Sequence, residues 1–85
     1  MCSYITERAD LEGSAKAGDE WFRLTSASVY FDHPQHALPD HTLNIDFLND
    51  VVGERVAVEL SATSARALVA SIEAALAEGE RAHIL

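Results

Sequence analysis

Two short runs near the middle of the chain restrict its fold more than any other feature. In "HTLNIDFL", Leu43, Ile45 and Phe47 alternate with Thr42, Asn44 and Asp46. In "RVAVEL", Val56, Val58 and Leu60 alternate with Arg55, Ala57 and Glu59. A period of two puts every second side chain on one face of a strand, so each run reads as a strand with one apolar face. The intervening "NDVVGE" supplies Asn, Asp and Gly, which makes the pair an antiparallel hairpin with a connection of about four to six residues.

Upstream, "WFRLTSASVYF" is rich in aromatic and β-branched residues and fits a long strand. Both of its faces carry apolar residues: Phe22, Leu24 and Tyr30 on one, Trp21, Val29 and Phe31 on the other. "CSYITERADLEG" predicts a first strand through Ile5 and Leu11, and "GSAKAGDE" a glycine-containing turn after it. "GSAKAG" lacks the spacing of a phosphate-binding loop, so no nucleotide site is assigned. In the tail, Ala65, Leu68, Val69, Ile72, Ala75 and Leu76 recur at helical spacing, with Ser61 as N-cap and Gly79 as the C′ stop. At this length the helix needs its apolar stripe packed on the sheet. The expected architecture is a single α+β domain over residues 1–85, with a small antiparallel sheet of about four strands and one C-terminal helix on one face, β-β-β-β-α.

One such helix covers only part of the sheet. The other face is expected to carry Thr42, Asn44, Asp46, Arg55 and Glu59, with opposite charges paired across strands, and Trp21, Val29 and Phe31 are expected to make it half apolar. A homodimer that buries this face, or joins sheets edge to edge, would add core that 85 residues need.

Charge removes other classes. The net charge is −8, and the six basic residues are scattered, with no stripe to neutralise phosphates. Nucleic acid and anionic lipid are therefore excluded as expected partners. No run reaches the roughly 18 apolar residues of a membrane helix, and no secretory signal is evident. A single cysteine cannot form an internal disulfide. These features predict a soluble, cytoplasmic protein.

The densest chemistry lies in "YFDHPQHALPDHTLNIDF", where His33, His36 and His41 fall within nine residues. Three imidazoles can hold zinc or a similar divalent metal and leave a position open for water or a ligand. Asp32 and Asp40 precede two of these histidines and could add a ligand or fix a ring tautomer. Pro34 and Pro39 stiffen the segment. The spacing matches no established metal signature, and a polar turn between strands has the same look. On strand parity His41 shares a face with Leu43, Ile45 and Phe47, as a histidine at a core edge would. His83 lies in the tail, apart from these. Cys2 has two readings: a small residue at the edge of the first strand, or, after removal of Met1, a 1,2-aminothiol able to join the histidines. Asn44 and Asp46 lie about 7 Å apart on one strand face, with Glu59 as the nearest further acid, a weak signal for acid–base work.

On "MCSYITE", "WFRLTSASVYFDHP", "HALPDHTLNIDF" and "RVAVELSATSARALVASIEAAL", the chain resembles an uncharacterised family of small bacterial proteins, mainly from high-GC Gram-positive bacteria, a domain of unknown function. The resemblance covers nearly the whole chain. It implies that Cys2, His33, His36 and His41 match the family pattern and assigns them no activity, cofactor or partner. Three functions stay open. The first is a small binding protein that takes a metal ion or small ligand at the histidine-rich loop. The second is a small metal-dependent or Cys/His enzyme acting there. The third is a structural or protein-interaction module without a ligand.

Overall fold

The computed structural model describes residues 5–32 and 41–85. Strands β1 (Ile5–Ala17), β2 (Glu20–Asp32), β3 (Thr42–Asn49) and β4 (Glu54–Leu60) are followed by helix α1 (Ala62–Arg81). The strands form one antiparallel sheet in the order β1-β2-β3-β4, so the expected β-β-β-β-α arrangement holds.

The first hairpin differs from its sequence reading in one respect. "GSAKA" is strand rather than turn, because it pairs with Glu20–Leu24 of β2, with Gly13 opposite Leu24 and Ala17 opposite Glu20. The reversal is the two-residue Gly18-Asp19 link, where Gly18 takes a φ of 63° that side-chain-bearing residues avoid. Between Asp10 and Gly13 the register shifts, so Leu11 and Glu12 stand opposite Thr25 alone. This bulge bends the strand and exchanges its faces.

Register also settles the faces of β2. Val29 lies opposite Ile45, Phe31 opposite Leu43 and Ala27 opposite Phe47; these in turn meet Val58, Leu60 and Val56. Val29 and Phe31 therefore belong to the apolar face, not to the polar one expected for them. Tyr30, Ser28 and Ser26 continue the face of Asn44, Asp46 and Leu48. Although β1 and β4 lie at opposite ends of the strand order, their Cα atoms come within 8 Å of each other. The sheet is thus curled, and its polar face, where Ser26, Thr42 and Asn44 are buried, lies on the inside of the curl.

Ser61 links β4 to α1 as the only intervening residue. Its extended backbone (φ −65°, ψ 157°) and the Ser64 amide bond to its hydroxyl cap the helix as the sequence predicts. The C-terminus lies beyond Gly79. Helix α1 continues to Arg81, and His83, at φ 60°, occupies the left-handed position assigned to Gly79. The His83 amide donates to the Glu80 carbonyl and the Ile84 amide to the Gly79 carbonyl, a Schellman closure. Gly79 serves another purpose: a Cβ there would lie 3.1 Å from the Leu85 side chain.

Candidate functional site

The convex face carries Val29, Phe31, Leu43, Ile45, Phe47, Val56, Val58 and Leu60, and all of them are only half-buried. Helix α1 meets this face at its first turns. Ala62, Ala65, Arg66 and Val69 stand across from Phe31 and Leu43 and line with them an open cleft of about 240 Å³. The rest of the helix leaves the sheet. Its apolar stripe is open to solvent, with Leu68 43%, Val69 56%, Ile72 51% and Leu76 49% exposed, and no α1 residue is buried. The stripe follows the predicted spacing; its contact with the sheet is confined to the start.

The concave face shows the reverse. Thr42 and Ser26 are fully buried and Asn44 is 5% exposed. The Thr42 hydroxyl donates to Asn44 Oδ1 over 2.7 Å. Beside them the Tyr30 hydroxyl donates to Asp46 Oδ2 (3.1 Å), and Arg55 stands 3.8 Å from the same oxygen. The expected cross-strand charge pairing is therefore present. Tyr30, Asn44, Asp46, Arg55 and Glu59 line a polar groove of about 340 Å³. Its carboxylates, phenol and guanidinium suit a small polar ligand by hydrogen bonding and charge.

Sequence reasoning missed a second polar cluster, at the opposite end of the sheet. Asp50 Oδ2 accepts from the Thr25 hydroxyl (2.9 Å), the Ser26 hydroxyl (3.0 Å) and the Arg8 guanidinium (2.9 Å). The Thr25 and Ser26 hydroxyls, then Arg8, hold the Asp50 carboxyl below its ordinary value. Next to it, Asn49 donates to the Arg23 carbonyl and accepts from the Val51 and Val52 amides, which fixes the β3–β4 connection. The Asn-Asp pair signalled the turn in the sequence, but nothing in it signalled partners on β1 and β2.

Of the predicted site residues, His41 is placed at the entry to β3, half-buried, with its ring centroid 6.1 Å from that of Phe31. It joins the apolar face, as strand parity predicted. Cys2, His33, His36 and Asp40 lie outside the described residues, as does the side chain of Asp32. Among the described residues no group of three or more His, Cys, Asp or Glu side chains is arranged to hold a metal ion. No helix among them is long and apolar enough to cross a membrane.

The architecture defines a class: a small curled antiparallel sheet with a C-terminal helix that projects from its apolar face. Within it, the chain belongs to the Family of unknown function (DUF6295), whose model matches residues 1–84. No curated protein and no solved structure matches it.

Proposed function

We propose that the protein is an interaction module that works through the convex sheet face and the apolar stripe of α1. The observation that carries this reading is the exposed row Leu68, Val69, Ile72 and Leu76, beside a sheet face whose large side chains are half covered. Singly exposed apolar residues are ordinary; a contiguous stripe next to an incomplete apolar layer marks a surface that binds another polypeptide. The test is a photo-crosslinking side chain placed at Ile72 in cells, with Glu73 on the neighbouring face of the helix as control. Crosslinked protein from position 72 and little from 73 is the expected result. Equal, weak labelling from both would show a solvated helix and end the proposal.

A second reading, a divalent-metal site at His33, His36 and His41, draws support from one feature. Asp32, which precedes His33, pairs on the sheet with Thr42, which follows His41. Three imidazoles there would suit zinc, with Asp32, Asp40 or Cys2 completing or orienting the set. Zinc at a thousand times its dissociation constant would stabilise the fold by about 4 kcal/mol. For so small a domain each kcal/mol moves the melting midpoint by roughly 4–8 °C. Melts with zinc and with chelator decide it: a rise lost on replacing His33, His36 and His41 supports the site, and superimposed curves remove it.

A further inference from the structure

We infer that the occupant of the apolar surface is a second copy of this chain, with α1 of each protomer laid across the convex sheet face of the other around a two-fold axis. The inference rests on the interaction reading above and names its partner.

Area is the first argument. The chain exposes 6437 Å². A compact monomer of 9.2 kDa would expose about 4,900 Å² by the scaling of surface with mass. The excess is about 1,500 Å² per chain, or about 3,000 Å² for a pair, within the range of obligate dimers. The dimensions agree: the radius of gyration is 14.5 Å, against about 12 Å for a compact chain of this length.

Complementarity is the second. A sheet with one apolar face and a helix with one apolar stripe are the two layers of a core, and in this chain they barely cover each other. The one-residue link at Ser61, extended and held by its cap, sets the helix on a course away from the sheet. Pairing helix with helix would leave Ile45, Phe47, Val56 and Val58 half bare, and pairing sheet with sheet would leave the stripe bare. Crosswise docking covers both surfaces in one closed, self-complementary contact. It also brings partner side chains to the wedge among Phe31, Leu43, Ala65 and Val69.

Charge separates a second copy from a basic partner. Each chain carries −8, so two copies repel, and salt screens that repulsion. Self-association should tighten as salt is raised, whereas docking of a cationic partner would weaken.

The test begins with the full chain in solution at micromolar concentration. Sedimentation equilibrium is expected to give twice the 9.2 kDa chain mass, with a dissociation constant that falls as sodium chloride is added. A species of the 9.2 kDa chain mass at every concentration overturns the inference; position-72 crosslinks to a different protein would then leave the interaction reading standing, and no crosslinks would remove both. Ile72→Glu should abolish the dimer. Because that variant could unfold, a second measurement uses two Cys2→Ser chains, one with Ile72→Cys and one with Ile45→Cys, mixed and oxidised. A disulfide that joins one chain to the other supports crosswise docking. Ile72→Cys chains linked only to themselves would show helix-to-helix pairing and overturn it.

Discussion

On the concave side of the sheet, Ser26, Thr42 and Asn44 are sealed from solvent. On the convex side, Phe31, Leu43, Ile45 and Phe47 are half covered, and the α1 stripe that would match them points into water. The difference follows from two local causes. Strand twist, with the bulge after Asp10, curls the sheet, and on its polar face Thr42 donates to Asn44 while Ser26 donates to the Asp50 carboxylate. The single-residue link at Ser61 sends the helix off the other face. A buried polar group is tolerable when hydrogen-bonded. A half-covered apolar layer instead forfeits stability that association can recover, at about 25 cal/mol per Å².

The largest expected effect breaks that comparison directly. Ile72→Ala on a solvated helix should stabilise slightly, because alanine is the better helix former. At a packed interface the same change costs about 2–5 kcal/mol per site. The crosswise dimer predicts the loss, with a melting midpoint that also depends on protein concentration. Calorimetry at several concentrations reads both; an unchanged or raised midpoint would mean that the stripe is an ordinary surface.

Asn49→Ala probes the buried polar set in the same way. It strips the Arg23 carbonyl of a donor and the Val51 and Val52 amides of their acceptor. Leaving such groups unsatisfied costs about 1–3 kcal/mol. Unlike Ile72→Ala, this change should leave the dissociation constant of the proposed crosswise dimer alone, since Asn49 acts within one chain. Denaturant unfolding and sedimentation on the same sample separate the two.

Asp50 gives a pH-dependent version. Its folded value lies below the ordinary 3.8, chiefly through the Thr25 and Ser26 hydroxyls. A depressed carboxyl stabilises the fold above its unfolded value, and that contribution disappears as pH falls through the folded one. Wild type should therefore exceed Asp50→Asn in midpoint at neutral pH, and the gap should close on acidification below about pH 4. Salt should remove only the part due to exposed Arg8. A gap constant down to full acidification would assign the cluster no ionic role.

Much of this architecture was legible in the chain because periodicity is a local signal. The alternation of Leu43, Ile45 and Phe47 and of Val56, Val58 and Leu60 marked the second hairpin, and the Ser61 cap followed from residue type. Pairing was not local. "GSAKA" contains turn-forming residues yet is strand because Glu20–Leu24 lies opposite it. Two-sided β2 could not be assigned a face until its register with Ile45 was known. Asn49 and Asp50 acquire their roles from β1 and β2, far off in sequence. The α1 spacing identified its apolar side but said nothing of which sheet that side covers. Of the histidine patch, His41 lies on the face that parity predicted, whereas His33 and His36 lie outside the described residues.

The smallest expected effect tests whether the concave face is open to water. Arg55 stands 3.8 Å from Asp46, with its own side chain 59% exposed and that of Asp46 15% exposed. An ion pair with one solvated partner contributes about 0–1 kcal/mol, and less as salt rises. Arg55→Ala should therefore shift the unfolding free energy by under about 0.5 kcal/mol, with the Tyr30 hydroxyl still donating to Asp46. A loss of several kcal/mol would mean that the pair is desolvated, since removing one partner of a buried pair strands the other charge. The concave face would then be covered too, and the contrast between a finished polar side and an unfinished apolar side would no longer support the proposed pairing of two chains.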